Sequence, residues 1–492
     1  MNLPNNAVVA PLFPALAGAC LAACSMLPTP PVSESATDLT DEFSASTESG
    51  SYDPFEWWKS FDDPVLDRVV EEVLDSNFDL AAAVARVDQA RARARIANAA
   101  SFPMINPSVG GNDFETPTNA GIGAQLEELG LDDETYAAFG IVLPEAIGLT
   151  TYSLGGAFAY EADFWGRNRN AARAVGAQHL ASEADLRAAR MGVVAQTVGT
   201  YLTIADLRRQ QSLADENARI LRELERQQTS RYDRGLVDAR TLYAARRNLR
   251  AAEAELPPIE AALADAEGRL WVLLGGYRDD LADILPDALA PGPALEAVPA
   301  GVPADLLVQR PDVSAARQRM EASRYLVGAR RAELLPSLSL SGTIGLQSTD
   351  TGEWFDPDQW FQNLTVNLLA PAFQGTRLQS NLALAEAQLD EAAAAYGRAV
   401  VTAVNEVEAA LTGWDGSRRR HALIASLAEE ARTEAALQER RYVAGVADYA
   451  NYLAASQTLV SASSALATAE RDLGLARLAL HRALGGAWTA IE

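Results

Sequence analysis

Four segments of the chain alternate apolar residues with small polar ones. The clearest is 337–346, which reads Ser-Leu-Ser-Leu-Ser-Gly-Thr-Ile-Gly-Leu; 363–368 and 152–160 follow the same rhythm, and a segment from about 104 to 111 does so more weakly. Uncharged strands of about ten residues with strict alternation are typical of transmembrane barrels, in which one face meets lipid and the other meets water. An antiparallel sheet covering a soluble core would alternate in the same way. The pattern predicts strands at about 103–111, 151–161, 336–346 and 361–370.

The rest of the chain is dominated by helical periodicity. Val400, Val404, Val407, Leu411 and Trp414 are four and three residues apart, the spacing of a coiled-coil seam. Proline is absent from 168 to about 232 and from 376 to about 442. A helix of ~65 residues would be on the order of 95 Å long, too long for a compact domain, so we expect these helices to pack side by side as a rod or tube. Helices are predicted at about 64–100, 167–232, 236–276, 311–333, 375–442 and 446–484.

The sequence also contains an internal repeat. An offset of 210 residues aligns equivalent positions without a gap, pairing Arg231 with Arg441, Gly235 with Gly445, and Asp238 with Asp448. The chain therefore consists of two strand-strand-long helix-helix halves, at 53–276 and 311–486. A proline-rich linker at 277–310 joins them.

Glycine and proline positions predict where the helices end. Gly235 and Gly445 lie where each long helix must stop and reverse, since glycine tolerates the left-handed conformation found at helix C-termini. The prolines at 257–258 predict a kink or break in the first return helix, because proline lacks a donor and clashes with the preceding turn. The equivalent positions 467–468 carry no proline, so this part of the repeat is asymmetric.

The N-terminus reads as a leader followed by a tether. Residues 7–23 are mostly apolar, and Leu21-Ala22-Ala23-Cys24 resembles the lipobox of bacterial lipoproteins. We therefore predict a signal peptide at 1–23, a covalent lipid on Cys24 and a tether at 24–52. The first six residues carry no Lys or Arg, which is unusual for a leader, so plain cleavage and an uncleaved apolar segment remain alternatives.

The composition of the chain argues against several classes of function. Asp plus Glu outnumber Lys plus Arg by 66 to 41, giving a net charge of −25, so no basic surface favours nucleic acid as a partner. The three histidines are far apart and the two cysteines lie near the N-terminus, which argues against zinc sites, disulfides and thiol catalysis. No phosphate-binding loop or Ser/His/Asp set is present either. We predict a protein that is not an enzyme and has no cofactor besides the lipid on Cys24.

Four strands are too few to close a barrel. An open sheet edge in hydrocarbon leaves backbone groups unpaired at a cost of several kcal/mol each. Three copies would supply twelve strands, enough to enclose an aqueous lumen. The predicted fold class is mainly α with a transmembrane β-barrel: a trimeric twelve-stranded barrel, with four strands per protomer, continued by an α-helical coiled-coil tunnel.

Several motifs occur in an order that points to a known family. They are Trp57-Trp58 with Phe61-Asp62-Asp63-Pro64-Val65-Leu66, the segment Tyr160-Glu161-Ala162-Asp163-Phe164-Trp165-Gly166-Arg167, Arg310-Pro311-Asp312-Val313 with Leu335-Pro336-Ser337, and Ala483-Leu484-Gly485-Gly486-Ala487-Trp488. Together with the lipobox and the repeat, they make the chain similar to the TolC-like outer-membrane efflux factors, in their lipoprotein branch of OprM and NodT types. The resemblance covers essentially the whole mature chain.

The resemblance implies a passive exit duct in the bacterial outer membrane. It would be a homotrimer, lipid-anchored and in contact with outer-membrane lipid, whose tunnel reaches into the periplasm. There it would meet a membrane-fusion adaptor and an inner-membrane transporter, of the RND type, that drives export of small molecules or drugs. A periplasmic coiled-coil scaffold lipoprotein without a pore is the alternative, although it leaves the alternating strands unexplained.

The resemblance also implies a gate at the periplasmic helix tip. Relatives close the tunnel there with inward side chains, and Asp448 matches their Gly-Val-x-Asp-Tyr pattern, whereas Ala454 stands where many relatives have a further aspartate. Three symmetry-related Asp448 carboxylates would repel one another, favouring protonation, a bound cation or pairing with arginine. A plain helix-capping role for Asp448, with Asp238 as its counterpart, stays open. The candidate gate residues are Asp448, Asn451, Tyr452, Arg441, Asp238 and Arg231.

Overall fold

A computed structural model describes residues 56–117, 146–276, 284–286, 289, 310–350, 352 and 356–486. The predicted signal peptide, Cys24, the tether at 24–52 and most of the predicted linker lie outside the described residues. The chain divides into two compact units. The first comprises Met1–Arg91, Gly176–Ala322 and Leu389–Glu492, and the second comprises Ala92–Val175 and Ser323–Gln388.

The second unit contains a four-stranded antiparallel sheet. Its strands follow one another in chain order, so that each pairs with the next. They are β1 (Met104–Pro117), β2 (Ala146–Ala162), β3 (Ser337–Ser348) and β4 (Trp360–Leu369). The weakest predicted strand, 103–111, extends to Pro117, because β2 also begins earlier than expected and the two strands pair along their whole length.

Eight α-helices are described, and two of them have 67 residues each. None of the helices in the described part of the chain combines the length and apolarity that a membrane-spanning helix needs. The helices are α1 (Pro64–Ser76), α2 (Phe78–Ala99), α3 (Arg167–Asp233), α4 (Ala239–Glu253), α5 (Leu256–Leu273), α6 (Pro311–Ala332), α7 (Arg377–Val443) and α8 (Tyr449–Leu484). The second half of the chain thus runs helix, two strands, long helix and return helix, and the first half has the same order with its first and last helices each divided in two.

The prediction of a single helix over 64–100 is wrong, because the helix is interrupted at Asn77. This residue is extended, with ψ at 124°. Its buried side chain accepts a hydrogen bond from the Leu80 amide at 3.0 Å and donates one to the Leu273 carbonyl at 2.9 Å. Asn77 therefore ends α1 and caps the start of α2, as asparagine commonly does at helix N-termini.

The two return helices differ. The first is interrupted between Glu253 and Leu256, and Pro257 lies in the first turn of α5, where a missing N–H is tolerated. The return helix of the second half, α8, is continuous over 36 residues. It begins at Tyr449, three residues later than expected, because Asp448 caps it and the residues before Asp448 form the turn.

The Trp57-Trp58 motif is an anchor for the core of the first unit. Trp57 and Trp58 are each 2% exposed, in a short 3-10 helix. The Trp57 ring stacks on His481 of α8 at 5.1 Å, and burial together with the nearby Arg477 charge lowers the pKa of His481 to about 3. The imidazole is therefore neutral and serves as an apolar packing surface near neutral pH.

Asp63 secures the same segment through two interactions. One carboxylate oxygen caps α1 by accepting from the Val65 and Leu66 amides, at 2.9 and 3.3 Å. The other accepts from the Tyr201 hydroxyl of α3 at 2.5 Å, in the buried core. Burial and this carboxylate raise the pKa of Tyr201, so the hydroxyl remains a donor at any physiological pH.

Replacing Tyr201 with phenylalanine should lower the free energy of unfolding by about 1–3 kcal/mol, because the buried Asp63 carboxylate loses a donor. Tyr243→Phe removes a hydroxyl from a ring that is 65% exposed and should leave stability unchanged. Urea unfolding of the detergent-purified protein, followed by circular dichroism, measures both. Equal stability of Tyr201→Phe and the wild type would show that this hydrogen bond does not secure the segment.

Candidate functional site

The register of the sheet gathers most of the apolar positions of the four strands on one face, although Phe114, Leu149 and Phe361 lie on the other. Residues directly opposite each other in an antiparallel ladder share a face. On β3 this face carries Leu338, Leu340, Ile344 and Leu346, and Gly342 leaves room for the Phe158 ring. Their partners on the same face are Ala162, Tyr160, Gly156 and Leu154 of β2 and Leu368, Val366, Gln362 and Trp360 of β4, and Leu364 of β4 is opposite Gly342. Beyond β2, the same face carries Ile105 and Val109 of β1, with Asp113 and Glu115 towards the end of that strand.

The opposite face is polar and almost uncharged. On β3 it carries Ser339, Ser341 and Thr343, opposite Asn367, Thr365 and Asn363 of β4. Glu161 is the one charged residue on this face among the described strand residues, and its carboxylate lies 2.5 Å from the Arg167 guanidinium. This face therefore offers hydroxyl and amide groups to water.

On β4 the apolar face is exposed rather than packed against other elements. On β4, Leu364 and Val366 are 66% and 62% exposed. The ten residues of β4 match the length of a tilted strand that crosses a bilayer, about 9–11 residues. In addition, β1 and β4 each pair on one side only within the sheet, so the protomer presents two free edges.

The helix tip, meaning the two turns that follow α3 and α7, has the same geometry in both halves. Gly235 and Gly445 have φ of 72° and 74°, in the left-handed region. In each turn the glycine amide donates to the carbonyl of a tyrosine three residues before it. The amide of the residue after the glycine donates to the carbonyl of the arginine that precedes this tyrosine, and all four distances are 2.8 to 2.9 Å. These bonds are those of a Schellman motif, which explains why the sequence repeats here so closely.

The aspartates that follow the turns have different surroundings. Asp238 caps α4 by accepting from the amide and hydroxyl of Thr241, at 2.9 and 2.7 Å, and these bonds lower its pKa. Asp448 caps α8 through the Ala450 amide at 3.4 Å. Its other oxygen lies 3.8 Å from the Arg231 guanidinium of α3. Asp448 therefore both caps a helix and pairs with an arginine of the other half.

Tyr452 belongs to an aromatic cluster that sequence reasoning missed. Its ring lies 6.1 Å from Tyr442 and 5.8 Å from Tyr449, and the latter two rings are 4.8 Å apart. Burial and the neighbouring tyrosines raise the pKa of Tyr449. The equivalents of Tyr449 and Tyr452 in the first half are Ala239 and Leu242, so a comparison of the two halves could have found the cluster.

The remaining gate candidates contribute less. Arg441 provides the carbonyl that accepts from Val446, and the Asn451 amide donates to the Asp448 carbonyl at 3.0 Å. In the described part of the chain, the side chains of Arg441 and Asn451 form no hydrogen bond or ion pair. Among all residues that the structure describes, no group of three or more His, Cys, Asp or Glu side chains could hold a metal ion.

Comparison with known proteins identifies the family. The model of the family described as "Outer membrane efflux protein" matches residues 69–276 and 302–486. Among curated proteins, the outer membrane protein OprJ of Pseudomonas aeruginosa is 32% identical over 481 residues, which cover 95% of this chain and 94% of OprJ. The pyoverdine export outer membrane protein OpmQ of Pseudomonas putida is 30% identical and covers 100% of this chain and 99% of its own.

Solved structures agree with this assignment. A membrane protein from Pseudomonas aeruginosa superposes with a TM-score of 0.78 at 29% identity, covering 93% of this chain and 99% of its own. The CmeC outer membrane channel of Campylobacter jejuni gives a TM-score of 0.78 at 26% identity, covering 91% of each chain.

The fold and the two-faced sheet define an outer-membrane channel. The chain belongs to the outer membrane efflux protein family, whose members are transport channels. It resides in the outer membrane and provides the exit duct of an efflux system. The predicted family, the mainly helical fold with an antiparallel sheet, the role as exit duct of an efflux system and the outer-membrane location are therefore confirmed.

Proposed function

We propose that the duct is a homotrimer in which three sheets close into one twelve-stranded barrel. The observation that carries this proposal is the register, which puts most of the apolar strand positions on one face while β1 and β4 keep free edges. In hydrocarbon those edges would leave backbone donors and acceptors unpaired at several kcal/mol each. Pairing β1 of one copy with β4 of the next satisfies all of them.

The duct conducts passively, and its partners supply the energy. It acts with a periplasmic adaptor and an inner-membrane transporter of the RND type, and it has no enzymatic activity of its own. Relatives are named as outer membrane proteins of antibiotic and toluene efflux pumps, which supports a small-molecule or drug cargo. The polar, nearly uncharged face of the sheet suits this role, because water-lined walls with few charges discriminate weakly between solutes.

The gate lies at the helix tip, and the Arg231–Asp448 pair keeps it closed. The pair joins α3 of the first half to the start of α8 in the second, so separating the two helices at the tip must break it. Both side chains are partly exposed, at 38% and 57%, and an exposed pair of this kind contributes only about 0–1 kcal/mol. In a trimer three such pairs act together, which gives a closed state that a partner can open.

The proposal also includes a covalent lipid anchor near the N-terminus, on Cys24. The lipobox-like Leu21-Ala22-Ala23-Cys24 supports cleavage before Cys24 and acylation of its thiol. Mass spectrometry of the membrane-extracted protein should show a lipid adduct that Cys24→Ala abolishes, whereas Cys20→Ala should keep it. An unmodified mass in the wild type would contradict acylation.

Planar-bilayer recording of the purified protein tests the conducting role directly. We expect stepwise currents from the wild type. A correctly folded trimer that carries no current, in the wild type and after Asp448→Asn alike, would instead favour the periplasmic scaffold.

The same recordings test the gate. Asp448→Asn should raise single-channel conductance, because asparagine still caps α8 but no longer attracts Arg231. Asp238→Asn is the matched control, since Asp238 caps the equivalent helix through Thr241, and its conductance should equal that of the wild type. Arg231→Gln should behave like Asp448→Asn. If Asp448→Asn and Arg231→Gln both conduct like the wild type, the pair does not hold the gate.

A further inference from the structure

The helices α3 and α8 run antiparallel along a shared seam, and one stretch of it is joined by partly buried polar groups. Gln210 of α3 donates to the Ser464 carbonyl and the Thr468 hydroxyl of α8, each at 3.0 Å, and accepts from the Ser464 hydroxyl at 2.5 Å. Asp206, whose side chain is 3% exposed, accepts from Arg471 at 2.7 Å. We call Asp206, Gln210, Ser464, Thr468 and Arg471 the polar clamp.

The clamp fixes the register of the seam over about two turns of α8. Gln210 also donates to Asp206 at 3.1 Å, so the α3 side of the clamp is connected within itself. On the other side, Asp472 accepts from Arg471 and from Arg420 of α7, at 2.8 and 2.6 Å. Asp472 thus connects the clamp to α7. Sliding or separating α3 from α8 here would leave the buried Asp206 carboxylate without its charged partner, which is strongly unfavourable.

Away from the tip, the seam is packed even more closely. A Cβ on Gly474 of α8 would lie 2.9 Å from a Leu202 methyl of α3, and one on Gly199 of α3 would lie 3.5 Å from Leu478. Tyr201 and Ile204 of α3 are fully buried in the same region. Moving the two helices apart on this side of the clamp would therefore open the core.

Towards the tip, the seam is held differently. Within the described residues, no hydrogen bond or ion pair joins α3 to α8 between the Gln210–Ser464 contact and the Arg231–Asp448 pair. At ~1.5 Å per residue, the stretch of α8 from Ser464 back to Asp448 is about 24 Å long. Its far end is held by one exposed ion pair at 3.8 Å. The seam is therefore strong at the clamp and weak at the tip.

We propose that the polar clamp is the pivot of the gate. When the channel opens, α3 and α8 separate from the clamp to the tip, and they remain in contact at the clamp itself. Asp206, Gln210 and Arg471 act as positioning residues, since they determine where along the helices the separation begins. This inference rests on the proposed gate at the tip.

Two cysteine pairs across the same seam test the pivot in the full-length protein. The tip pair is Arg231→Cys with Asp448→Cys, and the clamp pair is Gln210→Cys with Ser464→Cys. A short bis-methanethiosulfonate cross-linker joins each pair and is removed by reductant. Conductance in planar bilayers is recorded before cross-linking, after it and after reduction, so each variant reports its own folded baseline. The single-cysteine variants control for reaction at the natural cysteines.

We expect the cross-linked tip pair to lose the conductance of its own open state and to regain it on reduction. The cross-linked clamp pair should conduct as it does before cross-linking, because the helices do not separate there. A reversible loss of conductance in the clamp pair, together with the same loss in the tip pair, would overturn the pivot and leave the gate intact. A tip pair that conducts normally while cross-linked would overturn the gate, and the pivot with it.

Discussion

The requirement that every backbone donor and acceptor be paired inside a bilayer governs this structure. A four-stranded sheet with one apolar face cannot satisfy it alone, because β1 and β4 each keep a free edge. In the proposed trimer, the neighbouring copies supply the missing pairing partners. In the proposed barrel, the mainly apolar face of the sheet meets lipid and the polar face meets water.

Much of the fold could be predicted because its signals are local and repeated. Strict alternation at 337–346 identifies a strand without knowledge of its partners, and heptad spacing around Val400 identifies a long helix. The two turns could also be predicted, since Gly235 and Gly445 both adopt the left-handed conformation that ends a helix. Each of these features depends on residues close together in the chain.

The features that could not be predicted depend on contacts between distant residues. Asn77 breaks a helical pattern because the Leu273 carbonyl, 196 residues later, accepts its side-chain amide. Asp448 had two open interpretations, and only the position of α3 beside α8 shows that it contacts Arg231 while it caps. The polar clamp is likewise invisible in sequence, because Gln210 and Ser464 carry no motif.

The two halves of the chain show how a duplicated unit acquires different roles. Their turns are nearly identical, yet the second half alone has the tyrosine cluster of the helix tip, the aspartate that pairs with Arg231 and an uninterrupted return helix. A continuous α8 can transmit movement along its length, whereas the break between α4 and α5 interrupts the equivalent path.

Site-directed spin labelling of Leu340→Cys and Ser341→Cys in lipid vesicles tests the central claim most directly. These neighbours on β3 differ only in the face they occupy. The account predicts that a nitroxide at 340 is relaxed mainly by oxygen, which concentrates in lipid, and one at 341 mainly by a water-soluble nickel complex. Equal access of the nickel complex to both positions would show that the apolar face does not meet lipid, and would contradict the account.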